Sequence, residues 1–199
     1  MEYTANRIEL RGVLAELPQF SHENHGKRFY RFLLEVERLS GAVDVLPVIV
    51  PEPVLGAMDV SGGSMLEVTG QIRSFNSRSE TGRRLVISVY AETLETCEGE
   101  PQNDAELTGV ICKEPVYRRT PLGREICDIM LAVNRPYHRA DYIPCIFWGR
   151  TASMAASCEV GDTLHLNGRL QSRNYIKMLE DGSENRTAYE VSVMTAEIC

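Results

Sequence analysis

The sequence has no apolar run approaching the roughly 20 residues that a membrane-spanning helix needs, and no stretch resembles the hydrophobic core of a secretion signal. Cytoplasmic residence is therefore expected. Paired metal ligands are also missing. None of the six cysteines (Cys97, Cys112, Cys127, Cys145, Cys158, Cys199) forms a Cys-x-x-Cys arrangement, and the close histidine pair His22 and His25 has no cysteine beside it. Without an export signal a disulfide framework is not expected, and without ligand spacing neither is structural zinc, so the cysteines read as free thiols. There is no P-loop, no H-E-x-x-H, no nucleophile elbow and no triad-like cluster, so neither enzymatic chemistry nor a cofactor is expected.

Positive charge is scarce: 21 Lys and Arg face 28 Asp and Glu, for a net charge of -7. Taken whole, that balance argues against a nucleic-acid partner, but its distribution matters more than its sum. Residues 1–95 carry 10 basic and 13 acidic side chains, residues 96–104 carry 0 and 3, and residues 105–199 carry 11 and 12. The last segment is nearly neutral. Its basic residues are mostly arginine, which can stack on bases as well as pair with phosphates.

What the sequence does contain is an internal repeat. At an offset of 97, Gly12 falls on Gly109, Pro18 on Pro115, Gly26 on Gly123, Arg38 on Arg135, Asp44 on Asp141 and Pro47 on Pro144. After one inserted residue the offset becomes 98, and Gly70 meets Gly168, Ser74 meets Ser172 and Asn76 meets Asn174. Two copies of one unit are expected, 1–95 and 105–199, joined by a polar linker at 96–104. Each copy has the size of a small all-β domain.

Within a unit the hydrophobic period is two. Leu164, Leu166, Gly168 and Leu170 alternate with Thr163, His165, Asn167 and Arg169, and Leu66, Val68, Gly70 and Ile72 behave likewise. Such alternation marks half-buried strands. Five strands are read in the second unit, near 105–113, 124–135, 141–148, 162–177 and 186–198, with a short helix near 150–158. The first follows the same plan, its helix shortened by Pro51 and Pro53. The fold class is all-β: two tandem five-stranded OB-type barrels, each with a short helix between strands 3 and 4. Pro47 and Pro144, lying within third strands, must sit at a bulge or an unpaired edge. The repeated Asp44 and Asp141 at strand starts suggest a structural turn role.

Binding a single nucleic-acid strand without sequence preference requires flat aromatic faces for bases and cations for the backbone. Alternation in the third strand of the second unit places Tyr142, Pro144, Ile146 and Trp148 on the outer face and Ile143, Cys145 and Phe147 in the core. Tyr137 falls in the preceding loop among Arg135, His138 and Arg139, and the fourth strand runs through Arg169, Arg173, Asn174, Tyr175 and Lys177 into a long hairpin. Aromatics and arginines thus interleave on adjacent strands.

These residues carry a family resemblance. The blocks Leu107–Val110, Lys113–Gly123, Leu131–Pro136, Phe147–Trp148 and Gly168–Tyr175 span nearly the whole second unit in order, and that unit resembles the bacterial single-stranded DNA-binding proteins. The resemblance implies base stacking at or near Tyr137, Tyr142, Trp148 and Tyr175, with Arg135, Arg139, Arg169, Arg173 and Lys177 tracking the backbone. It implies coating and protection of single strands in replication, recombination or repair, with nucleoid association. Family members present four barrels, so two per chain suggests a homodimer. They commonly end in an acidic tail that recruits replication and repair proteins. Here the sequence ends at Cys199, so recruitment through such a tail is not expected.

The first unit departs from the pattern. At the places of Tyr142, Trp148 and Tyr175 it has Val45, Pro51 and Ser77, and its third strand shows an aliphatic outer face of Val45, Pro47 and Ile49. Arg73, Phe75 and Arg78 offer a weaker DNA-binding site there, while the aliphatic face suggests a role in assembly. Two alternatives stay open: an OB-type protein-interaction module that has lost DNA binding, and RNA in place of DNA, since no residue visibly reads a 2′-hydroxyl.

Overall fold

The structure, a computed structural model, describes residues 6–56, 58, 60–79 and 82–199. The first unit comprises β1 (Asn6–Leu14), β2 (Gln19–Asn24), β3 (Lys27–Glu37), β4 (Val43–Pro51), α1 (Glu52–Leu55), β5 (Met65–Ser79) and β6 (Gly82–Thr96). The second repeats the order as β7 (Gln102–Ile111), β8 (Val116–Arg119), β9 (Glu125–Arg135), β10 (Arg139–Trp148), α2 (Arg150–Ala156), β11 (Thr163–Leu179) and β12 (Gly182–Ile198). In each unit five strands close on themselves, β1–β3–β4–β6–β5–β1 and β7–β9–β10–β12–β11–β7. Every pairing is antiparallel except β4–β6 and β10–β12, which are parallel. This is OB connectivity, with the helix between the third and fourth barrel strands.

Each unit holds one strand more than periodicity suggests. The additional strands, β2 and β8, pair only with β3 and β9, leaving them at the two ends of a single twelve-stranded sheet. Their side chains are almost wholly exposed, so no apolar alternation marks them in the sequence. The β2–β3 hairpin closes through His25 and Gly26, both at positive φ (50° and 73°), the turn geometry that matches strand twist.

The alternation read from the sequence becomes the core. Leu107, Ile111, Leu131, Val133, Ile143, Phe147, Leu164 and Leu166 are completely buried in the second barrel, as are Ile8, Leu10, Leu34, Leu46, Val48, Leu66 and Val68 in the first. Burying each such side chain contributes roughly 1.5–3 kcal/mol before entropy is counted. Buried Ala152 and Ala155 dock α2, seven residues long, whereas α1 has four, starting after Pro51 and ending at Gly56. The Gly70/Gly168 repeat also finds its reason here. Both sit at a ladder irregularity, where an added Cβ would lie 2.0 Å from the Tyr90 carbonyl oxygen and 2.3 Å from that of Ser192. Pro47 and Pro144 interrupt no antiparallel ladder, and on their other side the parallel partner pairs only at the next two residues.

The two barrels touch closely. The connector is shorter than its polar composition suggests, because Gln102–Asp104 already pair with β1 in an antiparallel ladder running from Asn6↔Leu107 to Arg11↔Gln102. One side of that ladder is wet, which is why its residues are polar. Asp44 and Asp141 hold the barrels together elsewhere, so the turn role suggested by their position gives way to an interface role. Asp44 is fully buried and accepts from Arg38 Nε (2.7 Å) and, across the interface, from the Ser172 backbone N–H (2.8 Å). Asp141, equally buried, accepts from the Ser74 backbone N–H of the first barrel (2.7 Å), from Arg73 (3.1 Å) and from Arg135 (3.3 Å). The Ser74 hydroxyl in turn accepts the Tyr142 N–H, and the Ser172 hydroxyl accepts that of Val45. The repeated Arg, Asp and Ser are therefore two copies of one reciprocal contact.

Candidate nucleic-acid interface

Trp148 ends β10 with 37 % of its surface exposed, at the rim of a groove of about 590 Å³ on the outer face of the second barrel. Ile146 lies on the same face but is buried, because it forms the floor of this groove with Ile126. Arg118, Arg124, Arg169, Arg173 and, from the other barrel, Arg38 line it, against one carboxylate, Glu190. Glu190 is held by Gln171 (3.0 Å) and Arg173 (3.5 Å), which leaves the groove net positive. The Nε of Arg169 is buried and has no acceptor among the described residues. A buried donor without a partner costs stability and is satisfied by any ligand oxygen that reaches it.

Tyr175 continues the surface along the β11–β12 arm, with the Arg173 guanidinium 5.7 Å from its ring centre. Arg186, its cross-strand partner, faces it from β12 and was not singled out from the sequence. Lys177 is half-buried one step further along the arm, where its backbone pairs with Glu184. Tyr142 is exposed at the seam between the barrels, beside Ser74. Tyr137 is 92 % exposed on a turn where it and His138 both adopt positive φ (65° and 54°), at the mouth of the Arg135↔Arg139 pair. The repeat places Gly41, at a φ of 82°, opposite His138, so the first barrel has glycine in left-handed backbone where the second has two side-chain-bearing residues that pay a conformational cost. Trp148, Arg169 and Arg173 thus share one groove, with Tyr175 adjoining it. Tyr137, Tyr142 and Arg139 lie toward the seam, and Arg135 is bound to Asp141 and opens onto the first barrel.

The first barrel has a groove of its own, of about 700 Å³, lined by Pro47, Ile49 and Phe75 as the sequence suggests. Aromatic rings not singled out there, Phe29 and Tyr90, complete it; their centroids are 6.4 Å apart, and Arg73 stands 5.7 Å from that of Tyr90. They come from β3 and β6, where the second barrel has Ile126 and Ser192, so matching positions with the second barrel misses them. Parity along Val86, Ser88 and Tyr90 could have found the tyrosine. The face is aromatic as well as aliphatic. The side chain of Arg78 lies outside the described residues.

Electrostatics are set by pairing and burial. The Arg38 guanidinium is held above its usual pKa by its bond to Asp44, and that of Arg118 by Asp128. Burial pushes the Cys127 thiol up to about 11 and that of Cys145 further, so both stay protonated and inert at neutral pH. Among the described residues, no three His, Cys, Asp or Glu side chains converge as metal ligands, and no helix is long and apolar enough to cross a membrane.

Comparison with known proteins fits this geometry. The model of the single-strand binding protein family matches residues 102–199. The chain is 30% identical over 103 residues to single-stranded DNA-binding protein 3 of Listeria innocua, covering 48% of this chain and 61% of that one. It is 35% identical over 80 residues to single-stranded DNA-binding protein B of Bacillus subtilis, covering 37% of this chain and 71% of that one. The match to the first of these spans about three fifths of the relative's length. Over both barrels the fold superposes on the single-stranded DNA binding protein from Thermus aquaticus with a TM-score of 0.81 at 21% identity, covering 98% of this chain and 93% of that one. The family model spans the barrel that carries the cationic groove edged by an indole, and 71% of the Bacillus subtilis relative is matched at 35% identity: the chain belongs to the single-strand binding protein family.

Proposed function

We propose that this chain binds single-stranded DNA without reading its sequence and without chemistry, coating exposed strands during replication, recombination or repair. The observation that carries the reading is the second barrel's groove, where half-exposed Trp148 meets four arginines of its own barrel and the unpartnered Nε of Arg169. Bases stack on Trp148 and on Tyr175, with Tyr142 and Tyr137 extending the track toward the seam, while Arg169, Arg173, Lys177 and Arg139 neutralise phosphates. Stacking contributes about 1–3 kcal/mol per ring. Four platforms supply about 4–12 kcal/mol gross, before ordering costs.

The first barrel supports a weaker second site through Phe75, Phe29, Tyr90, Arg73 and Arg78. Assembly of two chains would present four barrels and raise affinity through effective concentration; light scattering at the mass of a lone chain or of four chains would remove that part. Trp148 is the sole tryptophan, so its emission reports the second groove directly. Quenching by oligo(dT), weakening as salt rises with a slope of roughly 0.7 per phosphate contacted, is expected. Unchanged emission together with no mobility shift at low salt would instead assign the fold to protein interaction.

A further inference from the structure

Resting on that reading, we propose that each barrel's binding groove is completed by an arginine of the other barrel: Arg38 of the first serves the groove around Trp148, and Arg135 of the second serves the groove around Phe75. The reciprocity is built into the interface. Arg38 belongs to the first barrel by sequence, directly after β3, yet it lines the second barrel's groove beside Arg173. It also donates to the Ser172 carbonyl at 3.4 Å. Arg135, its counterpart in the repeat, lines the first barrel's groove beside Arg73.

Neither guanidinium is a loose surface cation. Arg38 is 23 % exposed and bonded through two nitrogens to Asp44, which is completely buried. A guanidinium presents five donors in a rigid fork, and two suffice for a bidentate carboxylate, so further N–H groups remain for a phosphate. Asp44 also accepts the Ser172 N–H, so the carboxylate that orients Arg38 registers the second barrel against it in the same contact. Asp44 and Asp141 are positioning residues, and Arg38 and Arg135 are binding residues of the opposite barrel. The two barrels work as one binding body, and a strand leaving one groove at the seam meets the next groove's cations there.

The test uses the intact chain and Trp148 emission with an oligo(dT) short enough to occupy one groove. Arg38→Gln should flatten the salt dependence by about 0.7 and weaken binding about fivefold at about 0.1 M salt, although the substitution lies in the other barrel. Because R38Q leaves Asp44 buried without its cation, the double variant R38Q/D44N is measured beside it and should lose the same slope. Arg38→Lys, which keeps the charge, should recover most of it. Arg28→Gln, a first-barrel arginine outside both grooves, should change nothing. A wild-type slope in R38Q and R38Q/D44N, with wild-type protein still quenched by oligo(dT), overturns the shared groove and leaves the proposed function standing. Absence of quenching in the wild-type chain overturns both.

Discussion

Where the second barrel has Trp148, Ile126, Arg173 and Ser192, the first has Pro51, Phe29, Phe75 and Tyr90. Where the barrels touch, Arg38, Asp44 and Ser74 match Arg135, Asp141 and Ser172. The contact has kept its residues while the grooves have drifted apart. A buried carboxylate binding a guanidinium and a backbone N–H tolerates no partial change, since loss of one member strands the others. A groove of stacking faces tolerates exchange, because a ring from a neighbouring strand can replace one that is lost. The first barrel did not so much lose its aromatics as draw them from β3 and β6 instead of β10's counterpart, β4.

The comparison breaks most severely at the contact. Asp141→Ala leaves Arg73, Arg135 and the Ser74 N–H without their acceptor and should cost about 3–5 kcal/mol in urea unfolding. Asp44→Ala strands one arginine instead of two and should cost less. The grooves come next. Trp148→Ala should weaken oligo(dT) binding by about 1–3 kcal/mol, read by anisotropy of a labelled strand, with Tyr175→Ala in the same range. Phe75→Ala and Tyr90→Ala should each cost less, and equal losses in both barrels would mean that the grooves are equivalent. The smallest effect concerns thiols. Cys127 and Cys145 occupy second-barrel core positions held by Tyr30 and Val48 in the first. Burial raises their pKa, so the thiolate that reacts is scarce below about 11 for Cys127. At pH 8 a thiol reagent should label exposed Cys199 in the native protein and reach Cys127 and Cys145 only in denaturant, with Cys127 becoming more reactive as pH rises toward 11.

Much of this was legible in the sequence. The offset repeat and the two-residue period led to two barrels, and parity in Tyr142–Trp148 assigned outer and inner faces correctly. Ile146 shows the limit: parity gives the face of a side chain, not what lies over it. The strands β2 and β8 were illegible because neither of their faces is buried, so no hydrophobic pattern marks them. The Arg38–Asp44–Ser172 contact was illegible for another reason. Its members were visible as repeated residues, but pairing them requires knowing how two barrels dock, across 128 positions of chain. Copying the second barrel's site onto the first missed Phe29 and Tyr90, because a groove can be furnished from any strand beneath it.

The ladder between β1 and β7 makes the covalent connector nearly redundant. Six antiparallel residue pairs and two buried carboxylates join the barrels, whereas the chain between Thr96 and Gln102 only links strand ends that the sheet already brings near. A protease nick within 97–101 should therefore yield two fragments that travel together through gel filtration. The halves could equally be made as separate polypeptides, each requiring the other for its seam.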